Sequence, residues 1–217
     1  MLPKVKLLAQ LVESGVVAVI RKVPEDKIES LVSSLINGGI NALEITVDSP
    51  NGFTIIKNLT SKFNHQAIIG AGTVLDSSSA KLAINNGADF IVSPCLNIEV
   101  IRTTLRYGKI SIPGIMTPTE ALTAIENGAD IVKVFPADSV GLGFIKNLKG
   151  PLSQIPIMTT GGIDLNNVSN YIEEGAVAVG IGGNLINKQL ISNGDFQEIE
   201  EIARKYVNVV ALARGGK

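Results

Sequence analysis

Short apolar runs recur along the chain at residues 16–20, 42–47, 67–70, 90–92, 109–112, 131–135, 155–159 and 177–181, set off by Gly, Pro, Asn, Asp or short polar stretches. Runs of this length and setting read as strands. Between them the apolar positions fall at helical spacing over residues 24–36, 50–63, 77–85, 98–107, 118–126 and 165–173, with further helices at 3–13 and 196–213. Thr117-Pro118-Thr119-Glu120 has the form of a capping box with proline at the first helical position, and Ser49-Pro50 and Asp76 look like similar N-caps. Asn37-Gly38-Gly39, Asn86-Gly87, Asn127-Gly128 and Glu174-Gly175 share one pattern, a helix ending in glycine just ahead of a strand. Glycine suits the left-handed position that ends a helix. A helix-to-strand unit repeated every 40 to 50 residues or so is a repeat signal. Eight alternating strands and helices predict a (β/α)8 TIM barrel with an extra N-terminal helix, a doubly wound open sheet being the second choice.

One strand breaks the apolar rule. Within Ile131-Val132-Lys133-Val134-Phe135-Pro136, alternation sends Val132 and Val134 to one face and Ile131, Lys133 and Phe135 to the other. Lys133 thus shares a face with an aliphatic and an aromatic residue. Such surroundings disfavour an ammonium and free the amine as a nucleophile. A lysine paired with a carboxylate for structural reasons fits the residue type equally well. In Ala42-Leu43-Glu44-Ile45-Thr46-Val47 the aliphatic positions suit the helix-covered side, so Ala42, Glu44 and Thr46 face inward. A carboxylate inside one strand and an amine inside another is a pair that a purely structural core rarely contains.

Further polar positions gather at predicted strand ends, where this fold places its active site: Arg21 after the first strand, Thr73 after the third, Thr160 closing the seventh. The last two strand ends are glycine-rich, Thr160-Gly161-Gly162-Ile163 and Ile181-Gly182-Gly183-Asn184. Glycines there let backbone N–H groups approach an anion, and the loops after strands seven and eight are the usual phosphate site of such a barrel.

Composition narrows the choice of partner. The 217 residues are 45% hydrophobic with a net charge of -1, enough for a single domain over residues 1–217 and without a basic stripe for nucleic acid or a membrane surface. A small molecule is the expected partner. Residues 1–11 lack a continuous apolar segment followed by a small-residue cleavage site, which predicts a cytoplasmic protein. The single Cys95 cannot form an internal disulfide and the single His65 cannot supply a metal cluster by itself.

These residues together carry a resemblance. Val17-Ala18-Val19-Ile20-Arg21, Leu43-Glu44-Ile45-Thr46, Gly70-Ala71-Gly72-Thr73-Val74, Ile91-Val92-Ser93-Pro94, Pro113-Gly114 with Thr117-Pro118-Thr119-Glu120, Lys133-Val134-Phe135-Pro136 and Thr160-Gly161-Gly162-Ile163 are similar to the motifs of the 2-keto-3-deoxy-6-phosphogluconate aldolase / 4-hydroxy-2-oxoglutarate aldolase family. The resemblance runs from about residue 16 to residue 185. It implies a class I aldolase in which Lys133 forms a Schiff base with the keto carbon and Glu44 is the general acid/base working through a water, with neither metal nor other cofactor. It further implies that Arg21 and Thr73 hold the pyruvate carboxylate or nearby oxygens, with Pro94, Phe135 and Thr160 beside the substrate. Gly161, Gly162, Gly182 and Gly183 would bind the phosphate of a keto acid phosphate, and the protein would be a homotrimer.

Three positions depart from the family's pattern. Some relatives carry an arginine where this chain has Asp48-Ser49-Pro50, the phosphate loop often has serine where this chain has Gly183, and Cys95 stands where glycine is common. The 44–50 segment also looks like that of aldolases acting on the galactonate epimer. An aldolase for that epimer or for 4-hydroxy-2-oxoglutarate is therefore one rival. A phosphosugar isomerase or epimerase with Glu44 as base, and a non-catalytic phosphosugar-binding barrel, are others, and neither uses an inward lysine beside Phe135.

Overall fold

The computed structural model describes residues 2–215; Met1, Gly216 and Lys217, which the predicted single domain includes, lie outside the described residues. Among these, the strands are β1 (Val16–Ile20), β2 (Ala42–Thr46), β3 (Ile68–Gly72), β4 (Phe90–Val92), β5 (Ile110–Ile112), β6 (Gly114–Ile115), β7 (Val132–Val134), β8 (Ile157–Thr160) and β9 (Ala178–Ile181). They form one parallel sheet in the order β5-β4-β3-β2-β1-β9-β8-β7-β6. Its two ends, β5 and β6, are consecutive in the chain and joined through Pro113, so the sheet closes into a (β/α)8 TIM barrel whose fifth strand is interrupted. Pro113 has no N–H for a ladder bond. Its carbonyl still accepts from Lys133 N at 2.8 Å, which carries the closure across the break.

Helices alternate with the strands: α1 (Pro3–Ser14), α2 (Glu25–Asn37), α3 (Gly52–Phe63), α4 (Ser77–Asn85), α5 (Ile98–Arg106), α6 (Pro118–Glu126), α7 (Ala137–Val140), α8 (Leu142–Lys149), α9 (Val168–Glu173), α10 (Lys188–Asn193) and α11 (Phe196–Gly215). Gly39, Gly87, Gly128 and Gly175 have φ of 95°, 97°, 92° and 103°, the left-handed turn expected where a helix gives way to a strand. Asp76 caps α4 by accepting from Ser79 N, and Thr117 caps α6 by accepting from Glu120 N. The return bond of the capping box is displaced by one residue, since Glu120 Oε2 accepts from Met116 N.

Four local expectations need correcting. α3 begins at Gly52 after a left-handed Asn51, because Ser49 is bonded to Lys22 N and Thr46 Oγ1 and caps nothing. α9 begins at Val168 because Asp164 Oδ1 accepts from the N–H groups of Asn166 and Asn167, a side-chain turn that competes with helix. The pair α7 and α8 was absent from the predicted elements, since Gly141 and Gly143 break the apolar period there. The short α10 is likewise additional, capped by Asn187 through Gln189 N and Leu190 N.

The sheet divides the core in two. Outward-facing Ala18, Ile20, Leu43, Ile45, Val132 and Val134 pack against the surrounding helices. Inward-facing Val17, Ala42, Ile68, Phe90, Ile110, Ile131 and Met158 fill the lower barrel, and α1 closes that end with Leu11 wholly buried and Leu7, Leu8 and Val12 partly so. Arg214 near the end of α11 fastens this plug by donating to the carbonyls of Val12 and Glu13.

Candidate active site

Two residues above that apolar filling, the inward positions change character. On β7 the step from Ile131 to Lys133 replaces a core aliphatic with an amine that is 5% exposed; on β2 the step from Ala42 to Glu44 brings in a carboxylate that is 1% exposed. Their strands lie on opposite sides of the barrel, and the side chains meet inside it with Lys133 Nζ 3.7 Å from Glu44 Oε1. Two charges so buried are tolerable only as a compensating pair. The other carboxylate oxygen, Glu44 Oε2, is buried without a hydrogen-bond partner among the described residues. Glu44 fits because β3 offers glycine beside it: a Cβ on Gly72 would run into the carboxylate. The Phe135 ring centroid lies 5.1 Å from Lys133 Nζ, walling the amine on one side.

Arg21 and Thr73 come from the loops after β1 and β3 and meet at the rim, where Arg21 Nη2 donates to Thr73 Oγ1 at 2.8 Å. Arg21 Nη1 forms an ion pair with Asp48 Oδ2 at 2.8 Å, a partner that sequence reading did not find. Lys22 and Thr73 both adopt left-handed backbone, φ 51° and 59°, which is uncommon away from glycine and clusters at functional sites. The remaining donors of the guanidinium are available to an anion.

Across the cavity, Thr160 ends β8 with its hydroxyl buried and unpartnered. Gly161 and Gly162 follow at φ 105° and 68°, and the second packs against the Asp138 side chain, which a Cβ would strike. Among the described residues, the N–H groups of Gly161, Gly162, Gly182 and Gly183 have no protein acceptor. Such a cluster of uncommitted backbone donors is what an anion such as phosphate requires. Asn184 Nδ2 donates to the Ile163 carbonyl at 2.8 Å, fastening the two glycine loops to each other.

One cavity of about 530 Å³ opens at the C-terminal mouth of the barrel, bounded by Lys133, Glu44, Arg21, Thr73 and the two glycine loops. Lys133 and Glu44 form its floor, Arg21 and Thr73 one rim, Pro94 and Phe135 the wall, and Thr160, Gly161, Gly162, Gly182 and Gly183 the opposite rim. Every residue singled out from the sequence as a site residue lines it. Val19, Ile163, Gly180 and Asn184 also line it and were not among them, although Val19 shares the inward phase of Val17 on β1. Gly180 was legible only in three dimensions, since a Cβ there would collide with Thr160 Oγ1. Cys95, next to Pro94, is exposed. Among the described residues no three His, Cys, Asp or Glu side chains are grouped so as to hold a metal ion, and no helix is long and apolar enough to cross a membrane.

Residues 7–202 match the family described as Aldolase: KDPG and KHG aldolase. The 2-dehydro-3-deoxy-6-phosphogalactonate aldolase of Escherichia coli (strain K12) is 35% identical over 170 residues, 78% of this chain and 83% of that protein. The 2-dehydro-3-deoxy-phosphogluconate aldolase of Haemophilus influenzae is 32% identical over 206 residues, 94% of this chain and 97% of that one. Among solved structures, KDPG aldolase from Legionella pneumophila, with pyruvate captured as a covalent carbinolamine intermediate, superposes with a TM-score of 0.85 at 27% identity, covering 94% of this chain and 97% of the other.

Proposed function

The chain belongs to the KDPG and KHG aldolase family, and from that premise we propose that it is a class I aldolase reversibly cleaving 2-keto-3-deoxy-6-phosphogluconate to pyruvate and glyceraldehyde 3-phosphate, with 4-hydroxy-2-oxoglutarate as a further substrate. The observation that carries the reading is the buried Lys133–Glu44 contact at 3.7 Å on the floor of a cavity with anion-binding groups at both rims.

The chemistry follows from the positions. Lys133 Nζ, relieved of a proton by Glu44, attacks the C2 carbonyl to give a carbinolamine. Glu44 returns a proton to the departing hydroxyl, water leaves, and a protonated imine forms. Glu44 then takes the C4 hydroxyl proton as the C3–C4 bond breaks, and the bonding electrons pass into the imine to give an enamine and glyceraldehyde 3-phosphate. Protonation at C3 and hydrolysis of the imine release pyruvate and restore the lysine. Arg21 and Thr73 hold the carboxylate end, Pro94, Phe135 and Thr160 flank the carbon chain, and the N–H groups of Gly161, Gly162, Gly182 and Gly183 hold the phosphate. The scissile bond is thereby fixed between two anchors above the amine. The scheme assigns no step to a metal. The single domain, a homotrimeric assembly and a cytoplasmic setting belong to the same proposal and rest on the resemblance and the sequence.

Incubation with pyruvate and borohydride, followed by peptide mass mapping, tests the core of the proposal. A lactyl-type mass increase on the Lys133 peptide is expected in the wild type and is abolished in Lys133→Ala. Failure of pyruvate to leave an adduct overturns the Schiff-base role and favours an isomerase using Glu44 alone. The galactonate epimer is a second reading, favoured by the Escherichia coli relative at 35% identity. Turnover of the pure epimers separates the two, and equal rates would remove a strict assignment to either.

A further inference from the structure

We infer that Asp48, seconded by Ser49, is a positioning residue that fixes the Arg21 guanidinium over the keto-acid end of the cavity and so sets the affinity for the substrate carboxylate; this rests on the Schiff-base reading above. Among the described residues that line the cavity, Arg21 is the one long side chain at that rim, and half of it is exposed. A free arginine in that setting samples many rotamers, and ordering it on binding is costly. Here the ordering is built in. Nη1 is held by Asp48 Oδ2 and Nη2 by Thr73 Oγ1, each at 2.8 Å.

The neighbouring residue repeats the arrangement. Lys22 N donates to Ser49 Oγ at 2.8 Å, and that hydroxyl lies 2.8 Å from Thr46 Oγ1 at the end of β2. Consecutive residues 21 and 22 are thus pinned by consecutive residues 48 and 49, with Ser49 8% exposed. The left-handed backbone of Lys22 and Thr73 is held at the two sides of this clamp. Two of the five guanidinium N–H donors are spent on it, and three remain for a ligand. Since Asp48 does not line the cavity, it acts through Arg21.

The clamp makes an unusual prediction about sign. If Asp48 merely competed with substrate for Arg21, removing it would tighten keto-acid binding; as a positioning residue, removing it weakens binding. The ion pair is well exposed, and exposed pairs contribute little to folding, so the variants remain folded. The experiment measures the half-saturating concentration for borohydride-trapped adduct at Lys133 with pyruvate and with methyl pyruvate, whose carboxylate is masked as an ester. Asp48→Ala is expected to raise the pyruvate value about tenfold, the scale of one charge-assisted hydrogen bond. The methyl pyruvate value and the maximal adduct yield stay as in the wild type. Asp48→Asn, which keeps an acceptor, recovers part of the loss, and Asp48→Ala adds nothing to Arg21→Ala. An unchanged or lowered pyruvate value in Asp48→Ala, an equal shift for both ketones, or an Arg21→Ala variant that binds pyruvate normally each overturns the inference while the adduct still supports the Schiff-base reading. Absence of adduct in the wild type overturns both.

Discussion

The lower and upper layers of the barrel interior are built from the same strands two residues apart, yet they do opposite work. Ala42, Ile131 and Met158 below are wholly or almost wholly buried apolar groups that need only fit. Glu44, Lys133 and Thr160 above are polar, and Glu44 Oε2 and Thr160 Oγ1 are left without partners among the described residues. Burying such groups costs stability. A fold accepts that cost where a ligand completes the site, and the apolar layer beneath, sealed by α1, supplies the packing that offsets it. The period-2 geometry of a strand makes this division natural: one residue of shift exchanges faces, and two residues of shift exchange layers.

The sharpest way to break the comparison is a substitution confined to the upper layer. Glu44→Gln keeps the shape and removes the proposed proton acceptor, and it is expected to lower kcat by roughly 10²- to 10⁴-fold, the usual worth of a general acid/base, measured as steady-state cleavage. A loss under about tenfold would assign proton transfer to another group. The converse substitution lies below. Phe90, fully buried over Gly70, fills the lower barrel, and Phe90→Ala is expected to lower the unfolding free energy by about 3–5 kcal/mol in urea titrations. Its half-saturating pyruvate concentration should match the wild type, and a parallel rise would show that the two layers are not separable. The smallest effect lies outside both layers. Burial, aided by the Asp164 carboxylate, pushes the Tyr206 hydroxyl up to about 12. The folded state therefore keeps a proton that the unfolded chain releases near pH 10, and stability falls between pH 10 and about 12. Tyr206→Phe should remove roughly 2 kcal/mol of that alkaline decline.

Much of this was legible in the sequence for a physical reason. Lys133 and Glu44 could be assigned to the interior because strand alternation is local, and Gly161, Gly162, Gly182 and Gly183 because the strand count located their loops. Contacts between loops could not be read in this way. Nothing in Asp48-Ser49 announces that both side chains turn toward Arg21-Lys22, and that use of Ser49 is why the expected cap of α3 failed. Gly141 and Gly143 masked α7 and α8 because helical periodicity is weak in so short a segment.

The interruption at Pro113 gives the closed sheet a seam. β6 contributes only two paired residues, Gly114 with Lys133 and Ile115 with Val134, while β2 and β3 are joined over five. β3 and β4 are joined as briefly, but there the strands themselves are unbroken, whereas the seam beside Pro113 borders the strand that carries Lys133. The amides of β7 are expected to exchange with solvent deuterium ahead of those of β2, and the proposed adduct on the lysine, by tying that strand to the opposite rims, would be the stitch that closes the seam.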